Sequence, residues 1–224
     1  IYASFVEWKF AKQQGGTFLL RIEDTDQKRE IPGAVDLIIA GLKYFGIQMD
    51  EWPIGEHNID IGAYGPYTQS QRKDIYKVFA KYLIEQWLAY PCRMTTQELD
   101  TIREQQTKTK VTPGIYGKYS VWRNKTPEEI MERLQMDKEY IIRFRSPWDT
   151  KKRIVYTDII KGKIETMDNY VDIVLIKWDG LPTYHLAHIA DDHLMRVSHV
   201  IRGEEWLASV PLHIQLFRSF GFEP

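Results

Sequence analysis

The apolar residues of this chain fall into short blocks, and the spacing inside each block predicts an element. From Ile1 to Gln14, Phe5, Trp8 and Phe10 are interspersed with charged residues in the manner of a helix, which Gly15-Gly16 ends. Thr17 to Ile22 is β-prone and mostly apolar, as expected of a buried parallel strand. Pro32 and Gly46 bracket a second helix through Leu37, Ile38, Leu42 and Phe45. Asp50 to Tyr67 holds Pro53, Gly55, Gly62, Gly65 and Pro66 and reads as a long surface loop. Ser70 is placed to cap a helix running to about Trp87.

The texture changes near Ala89. Thr95 with Glu98, and Thr126 with Glu129, have the spacing of capping boxes. A polar stretch, Gln105 to Lys118, lies between them. Strand candidates follow at Tyr140–Arg145, Arg153–Ile159, Lys163–Met167 and Val171–Ile176. From Pro182 a helical pattern returns, then a strand at Val197–Ile201 and a helix from Glu204 to Phe220, ended by Gly221. The layout is α/β, then an α+β insertion, then α/β again, with no internal repeat.

With 224 residues, 43% of them hydrophobic, the chain can build one large domain or a domain with an insertion. No apolar run approaches the roughly 18 residues of a membrane span. Cys92 is the sole cysteine, which excludes an internal disulfide framework and fits a reducing cytoplasm. The net charge of -1 hides an asymmetry: Thr101 to Arg153 holds 13 Lys and Arg against 7 Asp and Glu. A basic middle in an otherwise acidic chain points to a polyanion contact confined to that region, or to ordinary charge scatter on a solvated surface.

Candidate chemistry gathers in two places. The first apolar strand runs into Glu23, Asp24 and Asp26, a strand-end acidic site for an ammonium group or a metal, or else a turn that Asp and Thr favour. Downstream, Tyr184, His185, His188, Asp191, Asp192 and His193 precede Arg202. His185 and His188 are three apart and share a helix face, so a metal-dependent phosphohydrolase is a rival reading. Arg202 should stand at a strand end facing the same crevice as Glu23. Its alternative is a surface ion pair with Glu204 or Glu205. Tyr184 can equally be a core aromatic with its hydroxyl satisfied.

At these residues the chain resembles the catalytic region of a glutamyl-tRNA synthetase, a class I aminoacyl-tRNA synthetase. The resemblance runs through Leu20-Arg21-Ile22-Glu23-Asp24-Thr25-Asp26, Gly65-Pro66-Tyr67-Thr68-Gln69-Ser70, Asp179 to Ala187, Asp191 to Met195 and Val200 to Trp206. It implies an α/β fold: a Rossmann-type parallel sheet split by an α+β insertion that binds the tRNA acceptor stem. The expected division is 1–88 and 181–224 for the two catalytic halves and 89–180 for the insertion.

The resemblance also implies a reaction, in which L-glutamate and ATP, with Mg2+, give glutamyl-adenylate for transfer to the tRNA 3′ end. By that matching, Glu23 binds the α-ammonium of glutamate, and Tyr184 and Arg202 bind its side-chain carboxylate. His188 stands where the family often has Asn near the substrate. Gly203, Glu205 and Trp206 lie beside the ATP ribose and adenine. Asp26 and Arg29 approach the tRNA end; separately, the positive balance of the middle segment makes Lys151, Lys152 and Arg153 the expected phosphate contacts. The family's HIGH motif would precede Ile1 and its KMSKS-type loop would follow Pro224, so the chain is read as an internal fragment, by itself inactive. Some members hold zinc on a Cys-x-Cys at the place of Cys92-Arg93-Met94, so no zinc is expected here. A monomeric cytoplasmic enzyme without membrane attachment is expected. A shortened paralogue that glutamylates a modified tRNA base is the other alternative, disfavoured by the long basic insertion and the Trp206 motif.

Overall fold

The computed structural model describes residues 1–26, 31–54, 59–136 and 139–223. Arg29 therefore lies outside the described residues. The chain forms two compact units, one made of Ile1–Asp74 with Ala190–Trp206 and the other of Ile75–Ile189 with the segment from Leu207 onward. This is a division by packing and does not mark where an inserted segment begins or ends.

In the first unit, helices α1 (Tyr2–Gln13) and α2 (Ala34–Tyr44) form where the periodicity predicts them. Helix α2 ends through Gly46, whose φ of 72° lets the Ile47 N–H reach back to the Leu42 carbonyl at 2.9 Å. The core joins Phe18, Ile39, Leu42, Ile47 and Met49, with Trp8, Leu20 and Trp52 packed against it. The expected strand from Thr17 to Ile22 is reduced to single parallel bridges, Leu19 to Glu51 and Ile22 to Thr68. Its direction is as predicted. Its neighbours each meet it at one end only: Asp50 and Glu51 through Phe18 and Leu20, Tyr67 and Gln69 through Ile22. A ladder needs a longer shared run.

Three other expectations are corrected. The loop from Asp50 to Tyr67 contains an antiparallel hairpin, β1 (Trp52–Ile54) against β2 (Ile59–Ile61). Its glycines and prolines masked two very short strands. Ser70 does not cap a helix: it lies inside a 3-10 turn, Gln69–Arg72, and its own N–H donates to Asp24 at 2.8 Å. Val197–Ile201 forms no ladder among the described residues. The Val197 N–H instead closes the end of the preceding helix on the Asp192 carbonyl, 2.9 Å away.

The second unit holds a three-stranded antiparallel sheet in the order β3 (Ala89–Cys92), β4 (Ile141–Phe144), β7 (Val174–Ile176). A separate hairpin pairs β5 (Arg153–Asp158) with β6 (Gly162–Met167). Helix α3 (Lys73–Glu85) precedes β3, and its Phe79 and Tyr82 rings contact Phe220. Helices α4 (Thr96–Lys108) and α5 (Pro127–Met136) open with the two predicted capping boxes. Tyr90, Cys92 and Trp122 form a core cluster with Met94, Ile130 and Ile141 around them. Helix α6 (Tyr184–Leu194) begins in this unit and its last turn belongs to the first. The helix expected from Glu204 is split into a 3-10 turn, Glu204–Ser209, and α7 (Val210–Ser219). Pro211 in the first turn of α7 explains the break, because it lacks the N–H that would continue the earlier turn.

Candidate functional site

In the first unit the segment ending at Ile22 delivers Arg21 and Glu23 side by side. The Arg21 guanidinium is nearly buried and donates to Asp192 at 2.8 Å and to Glu23 at 3.2 Å, with Asp191 3.9 Å away. Burial alone would pull Arg21 down, but Asp192, Glu23 and Asp191 outweigh it and hold the group above its ordinary pKa. Asp191 is fully buried and accepts from Arg72 at 2.7 Å and from Gln69 at 2.9 Å. Arg72 also donates to the Tyr64 and Pro66 carbonyls.

These bonds count against the metal-site reading. Asp191 and Asp192 are committed to guanidinium groups, and the described residues include no cluster of three or more His, Cys, Asp and Glu that could hold a metal ion. Asp24 accepts from the Ser70 N–H. Asp26 is exposed.

Glu23 is different. Its side chain is 37% exposed, and besides Arg21 it faces the Nη2 of Arg202 at 4.0 Å. Arg202 lies over the Trp206 ring at 4.9 Å. It follows not the expected strand but a segment without regular secondary structure. Half-buried Glu7 on α1 has its carboxyl pushed up by desolvation, with Arg202 pulling it back. The periodicity of α1 gives no sign that Glu7 faces a cation. Gly203 and Glu205 pack together: a Cβ on Gly203 would run into the Glu205 carboxylate. Gly203, Glu205 and Trp206 are all exposed. A loose, solvent-accessible acid–base pair beside an aromatic face can bind a zwitterion, because a ligand bringing both charges replaces each partner with its own kind.

In the second unit four rings meet. Tyr184 stacks on His188 one helical turn later, 5.4 Å between centroids at 24°. His213 on α7 lies 5.5 Å from Tyr184 and 4.9 Å from His188. Its Nε2 is 3.1 Å from the Nδ1 of His185. Burial pushes His185 below its ordinary 6.5. His188 is buried, at 4% exposure. The sequence marks His185 and His188 by spacing, but His213 carries no local signal and enters only through the packing of α7.

Elsewhere in this unit Asp172, fully buried, accepts hydrogen bonds from Tyr90, Ser120, Arg123, Trp148 and the Ser146 N–H. No sequence pattern singles it out. The expected RNA contacts Lys151, Lys152 and Arg153 are exposed at the start of β5. Lys152 pairs with Asp168 at 3.0 Å and Arg153 with Glu165 at 2.7 Å. Cys92 is buried, and desolvation pushes its thiol up despite the nearby Arg143.

The family model for tRNA synthetases class I (E and Q), catalytic domain, matches residues 1–224. The chain is 51% identical over 223 residues to the glutamate–tRNA ligase of Clostridium perfringens strain 13 and 42% identical over 236 residues to that of Sorangium cellulosum. All of this chain is covered in both, but only 41% of either relative. Among solved structures it is similar to a glutamate tRNA ligase from Elizabethkingia meningosepticum CCUG26117 in complex with its amino acid, with a TM-score of 0.88 and 39% identity. That match covers 99% of this chain and 44% of the other. The α/β fold class read from the sequence is thereby shown as the class I synthetase catalytic fold. The chain belongs to the catalytic domain of the class I tRNA synthetases of the E and Q group.

Proposed function

We propose that the protein of which this chain is the catalytic core is a glutamate–tRNA ligase. The observation that carries the reading is the exposed Glu23–Arg202 pair against Trp206. The relatives' shared name and the amino-acid complex of a similar structure support it. In the first step an oxygen of the glutamate α-carboxylate bonds to the ATP α-phosphorus and pyrophosphate leaves. In the second, the terminal tRNA ribose hydroxyl attacks the mixed-anhydride carbonyl, AMP leaves and the hydroxyl proton is released.

No side chain here is a nucleophile; the protein orients groups and balances charge. Glu23 would take the α-ammonium and Arg202 the side-chain carboxylate, with its planar fork giving two hydrogen bonds. Tyr184 and His188 are assigned to glutamate by the family resemblance. Gly203, Glu205 and Trp206 would serve the ribose and adenine of ATP, which brings its Mg2+ as part of the substrate. Residues 89–180 would form the acceptor-stem insertion, touching phosphates through Lys151, Lys152 and Arg153, with Asp26 and Arg29 nearer the tRNA end. No helix among the described residues is long and apolar enough to cross a membrane. A monomer working in a reducing cytoplasm fits the lone Cys92 thiol.

The test is glutamate-dependent ATP–pyrophosphate exchange by the protein at its full encoded length, with tRNA present. Exchange at about 1 per second or faster is expected. Exchange with glutamine but not glutamate, or none with either, overturns the reading.

A further inference from the structure

Helix α7 is held firmly from one side. Pro211, Leu212, Ile214 and Leu216 are buried, and Gln215 donates to the Asp168 carboxylate at 2.6 Å and to the Asn169 carbonyl at 2.7 Å. Asn169 donates back to Gln215 at 3.1 Å. His213 projects from this anchored helix into the rings of α6. It contacts Tyr184, His185 and His188 together, at centroid distances of 5.5, 5.4 and 4.9 Å.

We propose that His213 is a positioning residue for glutamate recognition, fixing the Tyr184 ring through His185 and His188. The inference rests on the assignment of Tyr184 to the substrate carboxylate. A phenol on the first turn of a helix rotates about two side-chain bonds. Here that rotation is blocked on three sides. His188 covers one face of the ring, at 24° between planes, and His185 and His213 lie against it at 59° and 61°. The His185–His213 hydrogen bond sets the position of the two imidazoles, since one nitrogen must donate and the other accept. Replacing His213 by a small residue removes this stop and leaves His185 Nδ1 without that bond. A recognition group misplaced by a fraction of an ångström loses a hydrogen bond that only correct geometry makes.

The experiment uses the protein at its full encoded length. His213→Ala is expected to raise KM for glutamate roughly tenfold, with KM for ATP and kcat changed by less than about twofold. His213→Gln, which can bond His185 again, should recover part of the loss. His213→Phe, which keeps the ring contacts without the bond, should fall between the two. An unchanged glutamate KM in His213→Ala overturns the inference. So does an equal rise in both KM values together with a lowered Tm in all three variants, which would make His213 a packing residue only. If Tyr184→Phe leaves the glutamate KM untouched, the assignment of Tyr184 fails and the inference with it. Wild-type protein without glutamate-dependent exchange defeats the functional reading itself, so the two failures are told apart.

Discussion

Asp172 and Glu23 are two acids in similar company and opposite situations. Each meets an arginine that lies over a tryptophan: Arg123 over Trp148 at 3.9 Å, Arg202 over Trp206 at 4.9 Å. Asp172 is sealed from water and receives Arg123 at 2.8 Å together with two hydroxyls, an indole and a backbone N–H. Every lone pair is used, and no ligand could enter without leaving a buried donor stranded. Glu23 keeps 37% of its side chain exposed and sits 4.0 Å from Arg202. The same residue types thus build a rivet in one place and a binding surface in the other. What separates them is saturation and burial, since charge is common to both.

The sharpest break of this comparison is Asp172→Asn. Removing one partner of a buried ion pair costs about 3–5 kcal/mol, much of it the desolvated charge left behind. Arg123 would be that charge. Urea unfolding should therefore show a loss in this range, large against the usual 5–15 kcal/mol of a whole domain. Glu23→Gln should cost under about 1 kcal/mol, as exposed pairs do. A loss below about 1 kcal/mol for Asp172→Asn would mean that the hub is not a rivet.

Arg202→Ala tests the other side. It should lower kcat/KM for glutamate by roughly two to three orders of magnitude, at 1.4 kcal/mol per decade, because glutamate and glutamine differ in charge and scarcely in shape. Glutamine should lose far less. Arg202→Lys should recover only part, keeping the attraction without the second hydrogen bond. Stability should hardly move. An unchanged glutamate-to-glutamine ratio would make Arg202 a structural partner of Glu23 and Glu7 alone.

The contrast also shows what the sequence discloses. Helices with a clear period and a glycine stop, α1 and α2, were legible to within a residue or two, and so were both capping boxes, because these are local devices. The extent of the strand from Thr17 to Ile22 is not legible, since pairing length depends on neighbours at 50–51 and 67–69 that no local pattern reports. Glu23 and Arg202 stood out by type and spacing. Asp172, Glu7 and His213 did not, because each matters through partners far along the chain: Asp172 and Arg123 are 49 residues apart, and His213 and His185 are 28 apart. Asp191 and Asp192 stay ambiguous in the sequence for the same reason. Beside histidines they look like ligands, and only the fold brings Arg21 and Arg72 to them.

Between the rivet and the open pair stand Lys152 and Arg153, exposed yet paired with Asp168 and Glu165. Such pairs contribute little to folding and can release their cations to phosphates. Reversing Lys151, Lys152 and Arg153 to acids should weaken binding of an acceptor-stem duplex roughly tenfold at moderate salt and flatten the salt dependence by about one unit per lost phosphate contact. Thermal stability should stay nearly the same. An unaltered slope on a log–log plot of affinity against salt would remove these residues from the RNA contact.

The smallest effect concerns the ring cluster, a third way of holding a titratable group: half-buried among aromatic and imidazole rings. Burial holds His185 below its ordinary 6.5, and around it stand Tyr184, His188 and His213. The His185–His213 bond needs one ring nitrogen to donate and the other to accept. Below pH 6.5 the unfolded chain therefore binds a proton at His185 that the folded chain still refuses. Stability rises with pH wherever the unfolded state holds more protons. The contribution from His185 is thus complete above about pH 6.5 and is lost as pH falls from there through the lowered folded pKa. Unfolding free energies measured from pH 8 down to pH 5 should slope downward below 6.5 in the wild type. In His185→Gln, which keeps a hydrogen-bonding group for His213 but cannot titrate, that part of the slope should vanish while carboxylate-linked loss at lower pH remains. If the two curves run parallel across this window, the imidazole is not refusing its proton. Burial then sets no proton-linked penalty at His185.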